Sequence, residues 1–314
     1  TIIAILQQNM IPTFADVEKL TGNIMASAIE KQITSKTRAV IAVHLAGNPC
    51  ALDEIKKICA GRGLALIEDC CQAHFAEYKG RKVGSLGDFG CFSFQQTKQM
   101  TAGDGGMTIT WKKNLAQKAV LFSDKAWPRR KTIPRQHLFL APNCRMTELQ
   151  GAVALAQLRK LGKMIKARVD NAEILSERLK CAPGIVLSPV IADCRHSYYT
   201  YTFSITDELL NASKGNFGKA LRAEGLPVWL GYFTKPIFSY DVLKLKKTYG
   251  SSQCPYSCAK ARKNIKYSEK DYPNTMKALQ NLLFVLWSEK YTRKDVLDIA
   301  KGIEKVSEYF LTGR

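Results

Sequence analysis

The chain has 314 residues, of which 46% are hydrophobic, 24% charged and 9% aromatic. These proportions are typical of soluble globular proteins and exclude a disordered chain or a short disulfide scaffold. Every apolar run is shorter than the roughly 18 residues of a membrane-spanning helix, so the composition predicts a soluble protein with no membrane partner. At about 150 residues per domain, the length predicts about two domains.

Lysine and arginine number 47 against 27 acidic residues, a formal net charge of +20. Such an excess can attract phosphate-bearing substrates, nucleic acid or anionic lipid. The basic residues are dispersed and form no run of five or six, and we therefore predict no nucleic-acid partner. The ten cysteines include no Cys-x-x-Cys pair, Cys254 and Cys258 being the nearest to one. This spacing favours reduced thiols in a cytoplasmic protein and predicts no metal site.

The first part of the chain alternates short apolar strands with amphipathic helices. Strands are predicted at 11–17, 39–43, 64–67, 90–94 and 107–110, with a weaker one ending near Leu140, and helices at 26–32 and 52–60. The strands at 39–43 and 64–67 are apolar on consecutive residues, as buried parallel strands are. The alternation predicts an α/β fold with a doubly wound, mainly parallel sheet.

Between Arg145 and Lys180, apolar residues recur at three- and four-residue steps, which predicts one long helix that links two domains. Pro183 and Gly184 end it. The later elements are predicted as strands at 198–205 and 227–231 and helices at 215–223, 275–283 and 293–310. We therefore predict a large domain over residues 1–145, a linking helix over 146–182 and a smaller C-terminal α/β domain over 183–314.

An acid and a lysine follow two of the predicted strands. Asp69 stands just past the buried strand 64–67, and Lys98 follows the apolar run 91–94. Ligands of open parallel sheets bind at the carboxyl ends of the strands. An acid and a lysine there suit pyridoxal 5′-phosphate, because a carboxylate keeps the ring nitrogen protonated while the amine forms a Schiff base. On spacing alone, a surface lysine and a helix-capping aspartate remain the simpler interpretation.

Longer motifs change that interpretation. Together they resemble the DegT/StrS family of pyridoxal-phosphate-dependent sugar aminotransferases, in family order and over most of the chain. The matching stretches are VHLAGNP (43–49), IEDCCQAH (67–74), YKG (78–80), GSLGD (84–88), FSF (92–94), TK (97–98), GDGG (103–106) and NCRMTELQ (143–150). The resemblance implies fold type I of the pyridoxal-phosphate-dependent transferases, with a large cofactor-binding domain and a smaller C-terminal domain.

The resemblance also implies roles for five residues. Lys98 matches the Schiff-base lysine that later moves the proton, and Asp69 matches the acid that pairs with the pyridinium nitrogen. Gln72 matches the residue against the cofactor ring, and Ser93 matches a hydroxyl donor to the cofactor phosphate. Asn143 matches an amide that reaches the phosphate in the neighbouring subunit, which implies a homodimer.

Other interpretations of these and nearby residues stay open. Asn143 alternatively caps the long helix that begins near Thr147. Ser93 is alternatively an ordinary strand hydroxyl, and Gln72 a helix-surface amide. Among the histidines, His74 lies near the motif without an assigned role, while His44 and His196 are predicted to be structural or to edge the substrate. The loop 127–130, with Trp127 and two arginines, is a candidate lip for a diphosphate or carboxylate, or simply solvated.

The sequence departs from the family pattern at its start. Roughly the first fifth of a family member is expected to precede Thr1, including a glycine and hydroxyl turn that holds the phosphate and an aromatic ring that stacks on the cofactor. We therefore expect the chain as given to carry only part of the phosphate site and to bind the cofactor weakly.

The expected function is transfer of an amino group from glutamate or glutamine to a keto-sugar, in particular a nucleotide-linked one, or to a keto-cyclitol. Two alternatives stay open. One is another pyridoxal-phosphate reaction on the same fold, such as a lyase, a dehydratase or an aminohydroxybenzoate-type synthase, because the substrate pocket selects the chemistry. The other is a non-catalytic basic binding or regulatory protein, for which the sequence offers no concentrated basic stripe.

Overall fold

The computed structural model describes residues 1–129, 134, 136–210, 214–230, 232–262 and 265–313. The α-helices of these ranges are α1 (Ile2–Gln7), α2 (Ala26–Gln32), α3 (Leu52–Arg62), α4 (Lys113–Ser123), α5 (Glu148–Leu179), α6 (Asp207–Leu210), α7 (Lys214–Ala223), α8 (Asp241–Lys244), α9 (Pro273–Asn281) and α10 (Arg293–Thr312). The strands are β1 (Ala39–Val43), β2 (Ala65–Asp69), β3 (Glu77–Tyr78), β4 (Arg81–Lys82), β5 (Phe89–Ser93), β6 (Gly106–Ile109), β7 (Ile185–Leu187), β8 (Thr200–Ile205) and β9 (Leu282–Leu286). Within the described ranges, no helix combines the length with the hydropathy that a bilayer crossing requires.

The chain divides into two compact units. The central unit comprises Arg38–Asp170 and Val190–Tyr199, and the terminal unit comprises Thr1–Thr37, Asn171–Pro189 and the chain from Thr200 onward. Helix α5 contributes to both units, with the division after Asp170. The domain boundaries expected from the sequence stay a prediction.

A four-stranded sheet organises the central unit, in the order β1-β2-β5-β6. Strands β1, β2 and β5 are parallel, and β6 is antiparallel to β5. The predicted α/β fold with a mainly parallel sheet is confirmed. The register pairs Val43 with Asp69 and Asp69 with Cys91, so the carboxyl ends of the three parallel strands lie side by side. The sheet thus brings the candidate residues that follow these strands to one edge.

One face of the central unit's core is built around α5. Leu161 and Ile165 of that helix are almost fully buried and pack with Phe94, Met100 and Ala154. Ala154, Leu161 and Ile165 stand on one side of α5 at steps of seven and four residues, the apolar period of a helix that packs one face against a core. Phe94 and Met100 bracket the loop that carries Lys98, so this packing anchors both ends of that loop.

The terminal unit has its own three-stranded antiparallel sheet, in the order β7-β8-β9. All six residues of the central strand β8 are buried. A separate aromatic cluster joins Leu6 of α1 to Phe238, Leu243, Tyr256 and Tyr272. The first helix is therefore held by burial against later parts of the chain.

Four expectations for individual elements are wrong. Residues 136–140, the described end of the segment near Leu140, form no strand, and Leu140 is 98% exposed. Segment 11–17 contains Pro12, which has no N–H to donate, and Val17 alone makes an isolated bridge there. Segment 227–230 has only the bridge of Val228, and the predicted last residue, Gly231, lies outside the described residues. The helix expected over 275–283 ends at Asn281, because the apolar run that follows pairs with β8 as β9.

Asp16 caps a helix that is distant in sequence. Its Oδ1 accepts hydrogen bonds from the backbone N–H of Thr275, at 2.8 Å, and from the Thr275 hydroxyl, at 2.7 Å. Its Oδ2 accepts the N–H of Asn274 at 3.0 Å. Both residues lie in the first turn of α9, where backbone N–H groups have no partner in the helix and a negative charge is favoured.

Replacing Asp16 with alanine is expected to lower the free energy of unfolding by about 1–3 kcal/mol, because two half-buried N–H groups lose their acceptor. Chemical denaturation followed by circular dichroism measures the change. Asp241→Ala is the matched control, since Asp241 is exposed and its contact with Lys247 spans 3.8 Å, and it is expected to leave the unfolding curve unchanged. Equal stability of Asp16→Ala and the parent chain would contradict the capping role.

Candidate functional site

A buried carboxylate stands immediately before Asp69. Glu68 is fully buried. Its Oε1 accepts the N–H groups of Leu86, at 2.7 Å, and Gly87, at 2.6 Å, and its Oε2 accepts that of Gly84 at 2.8 Å and contacts His44 Nε2 at 3.2 Å. Burial by itself raises the pKa of Glu68, but the hydrogen bonds from His44 and the backbone N–H groups outweigh it and lower the pKa. Glu68 is therefore an ionised carboxylate that ties the end of β2 to the loop 84–87.

The loop 84–87 approaches the sheet at a glycine. Gly84 has φ +88°, and a Cβ added to it would lie 2.6 Å from the Phe92 ring and 3.1 Å from Cys70 Sγ. A side chain at this position is excluded by both conformation and space. The glycine of the GSLGD motif thus allows the backbone close enough to reach the Glu68 carboxylate.

His44, Glu68 and Cys70 place their side-chain ligand atoms within 4.8 Å of one another. The hydrogen bonds of His44 are inconsistent with binding of a metal ion by its ring. His44 Nδ1 accepts the backbone N–H of Cys50 at 3.0 Å, so the proton of the neutral ring is on Nε2, which donates to Glu68. Both ring nitrogens are therefore engaged, and neither offers a lone pair to a metal. The structural role expected for His44 agrees with these contacts.

Asp69 is the last residue of β2, and Ser93 is the last residue of β5 on the neighbouring strand. Asp69 Oδ1 accepts the N–H of Cys71 at 3.2 Å, and Ser93 Oγ accepts the N–H of Gln95 at 3.3 Å. Both side chains are half-buried. The two strand ends thus present a carboxylate and a hydroxyl whose positions are fixed by local backbone hydrogen bonds.

Lys98 lies in the loop that follows β5. Its N–H donates to the Gln95 carbonyl at 2.9 Å, and Ala102 N–H donates to the Phe94 carbonyl at 2.8 Å, which closes the loop on itself. The Lys98 ammonium lies 4.7 Å from the centre of the Tyr199 ring. The loop therefore folds the lysine back towards the strand ends.

The strand register brings Asp69 and Lys98 to the same edge of the sheet. Asp69 pairs with Cys91 of β5, and Lys98 lies five residues after Ser93, the last residue of β5. The Cys71 thiol agrees with this placement: burial raises its pKa most, the Asp69 carboxylate raises it further, and the Lys98 ammonium lowers it. The acid and the amine are 29 positions apart in the sequence.

His74 is buried beneath this site, tilted against the rings of Phe92 and Phe94. Neither ring nitrogen has a hydrogen-bond partner within the described part of the chain. Burial, and secondarily the charge of Lys98, lower the pKa of His74 to about 4. His74 is therefore a neutral ring at physiological pH and adds no positive charge to the site.

The Gln72 side chain, three residues after Asp69, is held by the backbone that follows β1. Its Oε1 accepts the N–H of Ala46 at 2.8 Å, in the short helical turn Leu45–Gly47 that follows β1. Gly47 in that turn has φ +97°, and a Cβ there would lie 2.6 Å from Ser197 Oγ and 3.0 Å from the Gln72 carbonyl. Gln72 is thus a fixed side chain between two strand ends, and the helix-surface interpretation of it is wrong.

Asn143 stands apart from the other four candidates. It is exposed, makes an isolated bridge with Asp124, and its Oδ1 accepts a hydrogen bond from Arg145 Nε at 3.1 Å. The hydrogen bonds described for it do not reach Asp69, Gln72, Ser93 or Lys98. Thr147 is the cap of α5 instead, because its Oγ1 accepts the N–H of Gln150 at 3.2 Å. The alternative interpretation of Asn143 as the helix cap is therefore wrong.

Cations surround the Asp124 carboxylate beside Asn143. Lys125 lies 2.8 Å and Arg145 3.1 Å from its oxygens, and Arg129 also donates to it. The hydrogen bonds from Arg129 and Lys125 lower the pKa of Asp124 well below its ordinary value. Arg129 also lies 4.4 Å from the Trp127 ring. These contacts order the part of the predicted lip that the structure describes, and Arg130 lies outside it.

Sequence reasoning missed several residues of this site. Tyr199 touches Lys98, Gln99 donates to the Ser197 carbonyl at 2.6 Å, and Glu68 anchors the strand that ends in Asp69. Glu68 stands inside the IEDCCQAH motif, next to the chosen acid, so the motif itself carried the signal. Tyr199 is 101 positions from Lys98, and its only mark in the sequence is an aromatic pair after His196.

An acid at the end of one parallel strand and a lysine beyond the next are the arrangement that the resemblance to an aminotransferase family predicts. The family model described as DegT/DnrJ/EryC1/StrS aminotransferase family matches residues 1–301. The chain belongs to this family of aminotransferases, which confirms the resemblance seen in the motifs and the prediction of an enzyme.

Individual relatives agree with this assignment. The chain is 32% identical over 235 residues to GDP-perosamine synthase of Escherichia coli O157:H7, covering 73% of this chain and 62% of that protein. It is 35% identical over 234 residues to L-glutamine:2-deoxy-scyllo-inosose aminotransferase of Streptomyces kanamyceticus, covering 71% and 55%. The solved aminotransferase from Psychrobacter cryohalolentis superposes with a TM-score of 0.81 at 28% identity, covering 97% and 77%.

The buried His74 predicts a pH dependence of stability. Its pKa is 6.5 in the unfolded chain and about 4 in the folded protein. As the pH falls, the unfolded chain binds the proton first, so the stability is complete above pH 6.5 and is lost as the pH falls towards 4. Between pH 7 and pH 5 this one group is expected to cost about 2 kcal/mol.

The His74→Phe variant removes the titrating group while it keeps an aromatic ring between Phe92 and Phe94. Its loss of unfolding free energy between pH 7 and pH 5 is expected to be about 2 kcal/mol smaller than that of the parent chain. Urea denaturation at several pH values measures both curves. Parallel curves for the two proteins would show that the folded ring titrates as it does in the unfolded chain.

Proposed function

We propose that this chain is a pyridoxal 5′-phosphate-dependent aminotransferase that moves an amino group from glutamate or glutamine to a keto-sugar, in particular a nucleotide-linked one, or to a keto-cyclitol. The observation that carries the proposal is the register of β2 and β5, which pairs Asp69 with Cys91 and sets the closed loop of Lys98 just beyond the end of the adjacent strand. An ionised acid and a primary amine at one sheet edge are what this cofactor requires of a protein.

The chemistry of the side chains fits this cofactor. Asp69 supplies a carboxylate for the ring nitrogen, Lys98 an amine for the aldehyde, and Ser93 a hydroxyl for the phosphate. Neutral His74 leaves the electrostatics of the site to these groups. Gln72, fixed through its carbonyl oxygen by Ala46, stands where its amide can lie against the ring.

When bound, the cofactor withdraws electrons from the substrate carbon that carries the amino group. The chain's own residues do the rest. The Asp69 carboxylate keeps the ring nitrogen positively charged, and its orientation is set by the Cys71 N–H. With the cofactor bound, Lys98 Nζ would accept the proton from the substrate carbon that carries the amino group and would donate it to the former aldehyde carbon, as general acid–base catalysis by a single positioned group. Ping-pong kinetics are expected, because the keto product of the donor leaves before the acceptor enters the same site.

The names of relatives support the proposed substrates. One relative is named as an aminotransferase for L-glutamine and 2-deoxy-scyllo-inosose, and another as a GDP-perosamine synthase. For this chain we propose the same classes, a keto-cyclitol or a nucleotide-linked keto-sugar, with glutamine or glutamate as donor. Arg129, about half exposed beside Trp127, is proposed to meet a diphosphate or a carboxylate. Offering this panel to the protein and detecting amine products by mass spectrometry distinguishes them from a lyase or a synthase reaction.

We further propose a homodimer in which Asn143 serves the partner's cofactor phosphate. Asn143 is exposed and is held by Arg145, as expected for a residue that acts across an interface. The first turns of α5, which follow directly in sequence, expose large apolar side chains: Leu149 (80%), Val153 (47%), Leu155 (53%) and Leu158 (48%). An apolar surface of this kind supports burial against a second copy. The ten cysteines are all free, in keeping with the proposed cytoplasmic location.

Substituting Lys98 with alanine is expected to abolish borohydride trapping of pyridoxal 5′-phosphate and to lower amino transfer by at least about a thousandfold, because the proton-moving amine is lost. Peptide mass spectrometry locates the trapped cofactor. Lys79→Ala is the matched control, since Lys79 is exposed and pairs with Asp53 at 2.7 Å, and it is expected to behave like the parent. Cofactor attached at another lysine in Lys98→Ala would contradict the proposal that Lys98 forms the Schiff base.

The trans role of Asn143 is tested by mixing two inactive variants, Lys98→Ala and Asn143→Ala. In a hybrid dimer, one site contains Lys98 from one subunit and Asn143 from the other, so the mixture is expected to recover up to about a quarter of the parent activity. If Asn143 acts within its own subunit, no hybrid site is complete and the mixture stays inactive. Native mass spectrometry of the mixture, with one variant carrying a mass tag, confirms that dimers have exchanged.

A further inference from the structure

The segment from His196 to Tyr199 belongs to the central unit, although it is remote in sequence from the rest of that unit. Ser197 N–H donates to the Gly47 carbonyl at 3.0 Å, and Tyr199 N–H donates to the Ala46 carbonyl at 2.8 Å. Both acceptors lie in the short turn after β1. The segment therefore runs along the same edge of the sheet as Asp69 and Lys98.

This segment is held in an unusual conformation. Tyr198 has φ +47°, a left-handed conformation that costs energy in a residue with a large side chain. Its N–H donates to His196 Nδ1 at 2.7 Å, and its ring stacks on the His196 ring at 3.9 Å. Arg168 donates to the Tyr198 carbonyl at 3.1 Å, and Gln99 donates to the Ser197 carbonyl at 2.6 Å. Such conformations persist where the surrounding contacts enforce them, and they concentrate at functional sites.

The result of this conformation is the placement of the Tyr199 side chain, which is 8% exposed. The Tyr199 hydroxyl lies 3.3 Å from Thr97 Oγ1, and Thr97 Oγ1 lies 2.7 Å from Gln95 Oε1. Because the Gln95 oxygen can only accept, the Thr97 hydroxyl donates its hydrogen bond to Gln95. The Tyr199 hydroxyl is therefore the donor to Thr97. Tyr199 is thus bonded to the residue that immediately precedes Lys98.

The face of the same ring meets Lys98 itself. The Lys98 ammonium lies 4.7 Å from the ring centre, within the distance at which an aromatic face attracts a cation. The hydroxyl fixes the plane of the ring through Thr97, and the ring offers its face to the amine. The two contacts together limit where Lys98 Nζ can lie.

We propose that Tyr199 is a positioning residue for Lys98, whose ring supports the free amine on the side of the substrate carbon while its hydroxyl holds the loop. This inference rests on the proposed function, in which Lys98 is free and moves a proton. A base held within a fraction of an ångström of its target acts far faster than one that must search for it. The segment 196–199 would then serve the reaction without contributing any reacting atom.

The first test measures Lys98 without cofactor. The full chain is treated with a limiting amount of an acetylating reagent, and the labelling rates of Lys98 and Lys79 are compared by peptide mass spectrometry. Tyr199→Leu removes the ring and is expected to speed labelling of Lys98 about two- to fivefold, because the amine loses its support. Lys79, in the same digest, is expected to keep its rate. Tyr199→Phe keeps the ring and is expected to label like the parent chain.

The second test measures the same variants with cofactor and donor. Capture of added pyridoxal 5′-phosphate, followed by absorbance, and kcat are expected to fall roughly ten- to a hundredfold in Tyr199→Leu, with KM for the amino donor little changed. Tyr199→Phe and Thr97→Val, which remove the two ends of the hydroxyl contact, are expected to fall between the parent and Tyr199→Leu. Melting temperatures of all variants show whether each one is folded.

The outcomes separate this inference from the proposed function. Parent-like labelling and capture in folded Tyr199→Leu would overturn the positioning role, and so would equal losses in Tyr199→Leu and Tyr199→Phe. If Tyr199→Leu does not fold, the capture rates and kcat of Tyr199→Phe and Thr97→Val decide, and parent-like capture in both overturns the role of the hydroxyl. Trapping of the cofactor at another residue in Lys98→Ala would overturn the proposed function, whatever the Tyr199 variants show.

Discussion

The central unit depends on an ionised carboxylate that is buried and fully hydrogen-bonded. Glu68 receives three backbone N–H groups from the loop 84–87 and one ring N–H from His44. An ionised group in a protein interior is tolerated only with such partners, because it has lost the solvation of water. The same contacts fix the backbone of β2 just before Asp69. They also join the end of β2 to His44, the residue that follows β1. The position of Asp69 is therefore fixed by the contacts of the preceding residue, Glu68, whose side chain lies on the opposite face of the strand.

Three separate parts of the sequence converge on this fixed strand end. The strand ends of β2 and β5 supply Asp69 and Ser93, the closed loop after β5 supplies Lys98, and the segment His196–Tyr199 supplies an aromatic ring. Main-chain hydrogen bonds fix the backbone of the Lys98 loop and of the segment His196–Tyr199. The Asp69 carboxylate and the Ser93 hydroxyl each accept a nearby backbone N–H, which fixes their positions as preorganised sites require.

The parts of this account that the sequence predicted are those with a local cause. The strands predicted at 39–43 and 64–67 follow from consecutive apolar residues and helix α5 follows from its apolar period, and the structure has these elements at Ala39–Val43, Ala65–Asp69 and Glu148–Leu179. The pairing of Asp69 with Lys98 around one cofactor stays a prediction. The parts it did not predict have non-local causes. Tyr199 contacts Lys98 although 101 positions separate them in the sequence. The residues of β9 form a strand because they pair with β8. Leu140 is apolar yet exposed, since hydrophobicity alone does not provide a strand with a partner.

The central claim is that Lys98 and Asp69 hold opposite ends of one pyridoxal 5′-phosphate molecule. A crystal structure of the protein grown with this cofactor tests the claim most directly. The account predicts continuous electron density between Lys98 Nζ and the cofactor, with the Asp69 carboxylate within hydrogen-bond distance of the ring nitrogen. Density for the cofactor elsewhere, or an Asp69 carboxylate too far from the ring to bond with its nitrogen, would contradict the account.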